Sequence, residues 1–133
     1  MRSVKVKDYM STRVVTFRPD TNVVEAMRAF LDHNISGAPV ISEDGRVVGI
    51  LSEADLMQVV IQDSYYDEAG GIVGDFMKSP VDTINSNDDI YGVAEKFIAE
   101  GRRRYPVVDD GRLVGQVSRS DVLRAAEDFL QRR

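Results

Sequence analysis

The chain contains no cysteine, so neither a disulfide framework nor a thiolate metal site is open to it. Its single histidine, His33, falls near the end of a predicted helix and reads as an exposed polar residue, and no metal-binding histidine spacing is present. Apolar runs extend over only a few residues, far short of the roughly 20 needed to cross a bilayer. An excess of basic charge is also missing. The formal net charge of −5 argues against nucleic acid as a general partner, because binding a phosphate backbone relies on a net basic surface. The opening stretch, Met1-Arg-Ser-Val-Lys-Val-Lys7, carries charge with no apolar core after it, so no secretory signal is expected. A Walker pattern, a dinucleotide fingerprint and a visible nucleophile–base pairing are absent as well. The exclusions leave a cytoplasmic protein without a membrane or nucleic-acid partner, for which catalysis is the least supported role.

What is there is an internal repeat. At 133 residues, with 43% hydrophobic and 29% charged content, the chain has the length and composition of one compact globular domain. Val6-Lys-Asp-Tyr-Met10 returns as Val73-Gly-Asp-Phe-Met77, Val14-Val-Thr16 as Val81-Asp-Thr83, Phe30 as Phe97, and Pro39-Val40 as Pro106-Val107, all at one spacing. Beyond that point the spacing shortens by one residue, because Ser42-Glu-Asp-Gly45 is one residue longer than Asp109-Asp-Gly111. A deletion confined to a turn, with register kept on both sides, is the mark of duplicated structure.

Each copy reads by period as β-α-β-β-α. A short strand, Val14 to Phe17, leads into a helix announced by Pro19-Asp-Thr-Asn22, with Val23, Ala26, Met27, Phe30 and Leu31 on one apolar face. Ile90, Val93, Ala94, Phe97 and Ile98 take the same places in the second copy. Two short strands come next, Pro39 to Ser42 and Val47 to Leu51, joined by the turn Glu43-Asp-Gly45, and then a helix begins at Ser52. One copy of about 60 residues buries too little apolar surface to be comfortably stable. The expected fold is therefore α/β in the α+β sense: two tandem β-α-β-β-α repeats packed sheet to sheet with pseudo-two-fold symmetry. The boundaries predicted are residues 1–62 for the first repeat, 63–72 for a linker and 73–133 for the second.

The stretch around which both copies are organised is Gly49-Ile-Leu-Ser-Glu-Ala-Asp55, repeated as Gly115-Gln-Val-Ser-Arg-Ser-Asp121. It reads as a strand running into a helix, with Ser52 or Ser118 at the N-cap and Asp55 or Asp121 three residues on. Such a corner gathers free amides, a hydroxyl and a carboxylate at one strand end. Phosphates are drawn to a helix start, and a carboxylate can accept two hydrogen bonds from the vicinal hydroxyls of a ribose. The same spacing is also close to a capping box, in which the acid reaches back to the N-cap amide and stabilises the helix by about 1 kcal/mol. For one copy alone, the cap is the simpler reading.

A Val-x-Thr strand, an apolar helix, a Pro-Val strand and a Gly-to-Ser-x-x-Asp corner, occurring twice, resemble a tandem pair of CBS domains, named after cystathionine β-synthase and also called a Bateman module. The resemblance runs from about Val6 to Leu130 and leaves no room for an attached catalytic or transport domain, so a stand-alone module is implied. It further implies a non-catalytic regulatory protein that binds an adenosine-containing ligand in clefts between the repeats. That ligand would be AMP, ADP or ATP, and less readily NAD or S-adenosylmethionine. Carried over by position, Thr16 and the backbone of Gly37, Ala38 and Pro39 would face the base in the first copy, with Ser52 and Asp55 on the ribose and phosphate. In the second copy Thr83, Tyr105 and Pro106 would line the base and Ser118 and Asp121 the sugar. Gln116 departs from the family's apolar residue at that strand position and marks either a polar contact or a strand end near solvent. Arg102, Arg103 and Arg104 precede the second Pro-Val strand, where the first copy has the uncharged Ile35-Ser-Gly37. A charge run is ordinarily a solvated face, but beside a nucleotide cleft three guanidinium groups suit phosphate.

The remaining features fit structural roles. Asp88-Asp89 suits a helix start and Asp109-Asp110 a turn. Tyr65 and Tyr66, in the polar segment after the first copy's last helix, are either loosely packed or an interface anchor. The last helix carries Val122, Leu123, Ala126, Phe129 and Leu130 on one side, and the family resemblance implies a disk-like homodimer formed through helices. Two functions stay open: a nucleotide sensor that acts on a partner protein, and a ligand-free module that only dimerises or docks.

Overall fold

The computed structural model describes residues 4–66 and 71–131, and their side chains apart from those of residues 63–66. The named elements are α1 (Val23–His33), β1 (Gly37–Ile41), β2 (Val47–Ser52), α2 (Glu53–Tyr66), β3 (Ile84–Asn85), α3 (Ile90–Glu100), β4 (Arg104–Asp109), β5 (Arg112–Ser118) and α4 (Arg119–Leu130). Single 3-10 turns at Val6–Asp8 and Val73–Asp75 stand at equivalent points of the two repeats.

Local chemistry accounts for the boundaries. Asn22 caps α1 by accepting from the Val24 amide at 2.8 Å, and Asp89 caps α3 by accepting from Tyr91 at 2.7 Å. Both helices end on a left-handed residue, Asn34 with φ 53° and Gly101 with φ 65°, the conformation that lets a following amide close the last turn. β1 and β2 form an antiparallel hairpin, as do β4 and β5, with a register shift at Val40/Ile41 and at the equivalent Val107/Val108. β3 runs parallel to β4. The strand expected at Val14 to Phe17 is reduced to one bridge, Phe17 to Val40, which occupies the place that Ile84 and Val107 take in the second repeat.

Two compact units result. One spans Val15–Val81; the other joins the chain from Asp82 onward to the chain before Val15. The units are cut differently from the sequence repeats, because each takes its body from one repeat and its opening segment from the other. In the first, Val73 is fully buried among Phe17, Val23, Phe30 and Leu51, and its amide donates to Thr21 O at 2.8 Å while Gly74 donates to Pro19 O at 2.7 Å. In the second, Val6 is buried among Ile84, Ile90, Phe97 and Val107, and the amides of Val6 and Lys7 donate to Asp88 O and Ser86 O, both at 2.9 Å. The segments continue as extra strand pairings. Lys78 exchanges both backbone bonds with Ile50, and Ser11 does so with Gln116.

α2 continues to Tyr66, past the break expected at Asp63. The side chains of Tyr65 and Tyr66, and part of the predicted linker at residues 67–70, lie outside the described residues. Among the described residues no helix is long and apolar enough to cross a membrane.

Candidate functional site

Both strand-to-helix corners form as the spacing predicts, and both are closed capping boxes. At the first, the Ser52 amide donates to Asp55 Oδ2 at 2.8 Å, the Ser52 hydroxyl donates to the same oxygen at 2.9 Å, and the Asp55 amide donates back to Ser52 Oγ at 3.2 Å. At the second, the Ser118 amide donates to Asp121 Oδ2 at 2.8 Å and the Asp121 amide to Ser118 Oγ at 3.3 Å. The carboxylates are almost wholly buried, with Asp55 2% and Asp121 5% exposed. A buried charge is costly unless paired, and each has a cation on its outer oxygen. Asp55 Oδ1 is met by Lys78 Nζ, from the docked opening segment of the other repeat, whereas Asp121 Oδ1 is met by Arg124, one turn along its own helix. Neither cation figured in the sequence reading. Arg124 was legible as an i, i+3 partner on α4; Lys78 was not, since it lies 23 positions away and on a different repeat.

In the first unit, Thr16 and Gly37 are half-buried and Ala38 and Pro39 are buried in β1. Ala38 faces Leu51, and Gly37 faces Ser52 across the hairpin, so the backbone at Gly37 stands beside the corner serine. The second unit repeats this with Arg104 opposite Ser118. Thr83 is half-buried and Pro106 is buried.

Tyr105 lies elsewhere than a base-lining role would place its ring. It is fully buried in the core, tilted against Phe97 with ring centroids 4.7 Å apart. Its hydroxyl donates to Glu100 Oε1 at 2.7 Å and to Lys96 O at 3.3 Å. Burial, and then the hydrogen bond to Glu100, push the phenol's pKa well above its ordinary value. The hydroxyl in turn holds the Glu100 carboxyl below its ordinary value, and Glu100 raises that of Lys96. The Tyr105 side chain is therefore committed to the core.

The three arginines divide. Arg102 is engaged with carboxylates, its Nη2 3.6 Å from Asp82 Oδ2 and its Nε 3.5 Å from Glu100 Oε1. Arg103 is exposed, and Arg104 is half-buried at the start of β4. The backbone here is tied to the corner: the Arg119 amide donates to Arg103 O at 3.3 Å and the Arg119 guanidinium to Arg102 O at 2.7 Å. Gln116 is half-buried, and the polar contact it makes is through its backbone to Ser11. His33 is exposed at the end of α1. No group of three or more His, Asp or Glu side chains is placed to hold a metal ion among the described residues.

A duplicated β-α-β-β-α unit, with a serine-capped helix and a buried aspartate at each strand end, is a tandem-repeat architecture. The chain belongs to the CBS domain family, whose family model matches residues 6–62 and again residues 73–128. The fold is similar to that of CBSX2 from Arabidopsis thaliana crystallised with AMP, at a TM-score of 0.84 and 29% identity over 96% of this chain and 99% of that one. It is also similar to the CBS domain pair of protein MJ0100, crystallised with 5′-methylthioadenosine and S-adenosyl-L-methionine, at a TM-score of 0.77 and 28% identity over 97% of this chain and 98% of that one. Among curated relatives, the uncharacterized protein MK0525 of Methanopyrus kandleri is 33% identical over 93% of this chain. The chain spans less than two thirds of the length of several such relatives, 63% in the case of MK0525.

Proposed function

We propose that this chain is a regulatory module that binds an adenosine-containing ligand, with AMP or ATP ahead of NAD and S-adenosylmethionine, and relays the binding event to a partner protein. The observation that carries the reading is its likeness, over nearly its full length, to a CBS pair crystallised with AMP. The ligands of that protein and of MJ0100 differ in charge and substituent but have adenosine in common, so recognition falls on base and ribose. Asp55 and Asp121 are the groups that accept from the ribose hydroxyls, supported by Ser52 and Ser118. Thr16, Thr83 and the backbone from Gly37 to Pro39 and at Tyr105 and Pro106 border the base. Arg102, Arg103 and Arg104 together favour a ligand that carries phosphate.

A thermal-shift series with AMP, ADP, ATP, NAD, S-adenosylmethionine and a guanosine control tests the reading. A ligand at 100 times its Kd stabilises the fold by about 2.7 kcal/mol, on the order of ten degrees in Tm for a domain of this size. No shift with any adenine compound at millimolar concentration would sink it.

Two observations favour the second reading, a ligand-free interaction module. Both aspartates already have internal partners for both oxygens, and apolar side chains stand exposed on both helix pairs, among them Leu31, Met57, Ile98 and Leu123. Self-association through these helices is part of our reading in either case.

A further inference from the structure

The two corners are built alike but are neutralised from different places. Asp55 and Asp121 hold equivalent positions, yet the cation on Asp55 is Lys78 of the docked opening segment, whereas Asp121 takes Arg124 from its own helix. By the repeat spacing, Lys78 stands at the position of Ser11 and Arg124 at the position of Gln58. The backbone under the first pair is the same: Lys78 exchanges its two bonds with Ile50 at 2.9 Å, and Ser11 exchanges its two with Gln116 at 2.9 and 2.8 Å. Ser11 keeps its hydroxyl within its own segment, 3.3 Å from Arg13 O. The lysine's backbone is thus pinned beside β2, two residues before Ser52, and only its side chain is left to move.

The partners of this ion pair are unequally exposed. The side chain of Asp55 is 2% exposed and that of Lys78 77%. Once parted, the ammonium hydrates freely but the carboxylate does not, so the cost falls on Asp55 and is offset only by a group that replaces Lys78 at Oδ1. Oδ2 already accepts from the Ser52 amide and hydroxyl, at 2.8 and 2.9 Å. A ribose hydroxyl therefore has to use the oxygen on which Lys78 sits.

We infer that Lys78 is a specificity residue of the first corner: it competes with the ribose for Asp55 Oδ1, and once displaced it pairs with the 5′-phosphate of a nucleotide. The inference rests on our functional reading of the corners as nucleoside sites. A 5′-phosphate is joined to the same ribose, a few bonds from its hydroxyls, and a flexible ammonium has only to swing on its stem to meet it. The loop before β1, Ile35-Ser-Gly37, offers no cation for that purpose, in contrast to Arg102, Arg103 and Arg104 before β4. An uncharged nucleoside breaks the ion pair with nothing in exchange, whereas AMP gives the lysine a new partner. The second corner has a serine in place of this lysine and selects without the exchange.

Calorimetric titration of the full chain with adenosine and with AMP tests this, in an Asp121→Asn background so that the heat reports the first corner. Melting curves check that each variant folds. Lys78→Ser, which matches Ser11, and Lys78→Gln are expected to bind adenosine at least about threefold more tightly and to lower the preference for AMP over adenosine at least about fivefold. Lys78→Arg keeps the charge and retains most of that preference. With Lys78 in place, added salt tightens adenosine and weakens AMP. Adenosine affinity that does not rise in either neutral variant, or an AMP preference that survives in both, overturns the inference. Absence of binding in the Asp121→Asn chain whatever residue stands at 78 overturns it as well, while leaving nucleoside binding at the second corner intact. A chain that binds no adenine compound even with Asp121 restored overturns the nucleoside reading itself.

Discussion

Met77 leaves no space for a side chain at Gly49: a Cβ there would stand 2.4 Å from the Met77 sulfur and 3.3 Å from Lys78 O. Met10 closes over Gly115 in the same way at 2.6 Å, but there the Ser11 carbonyl is only 2.7 Å off. A methionine sulfur can swing aside, whereas a backbone oxygen held in a ladder pairing cannot. Gly49→Ala is therefore expected to cost about 1 kcal/mol and Gly115→Ala about 2–3 kcal/mol, as overpacking does. Urea unfolding of both variants gives the comparison, and equal losses would show that the Ser11 pairing yields as easily as a side chain.

The corner aspartates can be tested for both of their roles at once. Asparagine retains an acceptor for the Ser52 or Ser118 amide but gives up the ion pair with Lys78 or Arg124. With those cations largely solvent-exposed, at 77% and 64%, Asp55→Asn and Asp121→Asn should each lower ligand-free stability by only about 1 kcal/mol. A charge-assisted hydrogen bond to the ribose is worth about 1.5–3 kcal/mol, so the variant at an occupied site should lose at least about tenfold in nucleotide affinity. Calorimetric titration next to unfolding of the ligand-free variants decides it; lowered stability with unchanged affinity in both returns the aspartates to capping alone.

Replacing Arg102, Arg103 and Arg104 together by alanine is expected to weaken AMP and ATP far more than adenosine and to flatten the salt dependence of binding. Equal losses for nucleotide and nucleoside would mean that the run only holds the strand start, for which Arg102's contacts with Asp82 and Glu100 provide a means.

Stability should fall on the alkaline side through Tyr105. The folded phenol ionises above its ordinary value of 10.0, so from that pH upward the unfolded chain releases a proton that the folded chain keeps. The contribution is complete below pH 10 and is lost as pH rises, by about 1.4 kcal/mol per pH unit for one proton. Lys96, raised by Glu100, adds to the same trend at higher pH. Tyr105→Phe should cost about 1 kcal/mol at neutral pH and make the decline above pH 10 shallower, by a difference that approaches one proton as pH rises past 11. An unchanged slope in that variant would assign the alkaline loss elsewhere.

Much of the molecule was legible from local spacing. The hairpins and the Ser-to-Asp corners depend on residues a few positions apart, the repeat shows as one such pattern written twice, and all of them formed where the pattern put them. The first strand shrank to Phe17 because a lone bridge to Val40 satisfies that edge. Leu31 and Ile98 fit the apolar helical face by period, yet both stand in solvent; the period sets the side of a helix but not how far round the core reaches. Tyr105, read beside Pro106 as part of a site, belongs to the core because its hydroxyl finds Glu100 and Lys96 at the end of α3. The Lys78 clamp depended on which repeat the opening segments join, a long-range choice that no local pattern encodes.

The docked opening segments also set a timetable for folding during synthesis. Val6 leaves the ribosome well before its partners, because the carbonyls that receive its segment and the glycine under Met10 come from Ser86 to Gly115. At about 5–20 residues per second, roughly 100 residues of waiting lasts on the order of 5–20 s. Val73, in contrast, emerges after the body it joins, Phe17 to Leu51, is already available. The unit of Val15–Val81 can close first, while the other stays open until Gly115 in β5 is made.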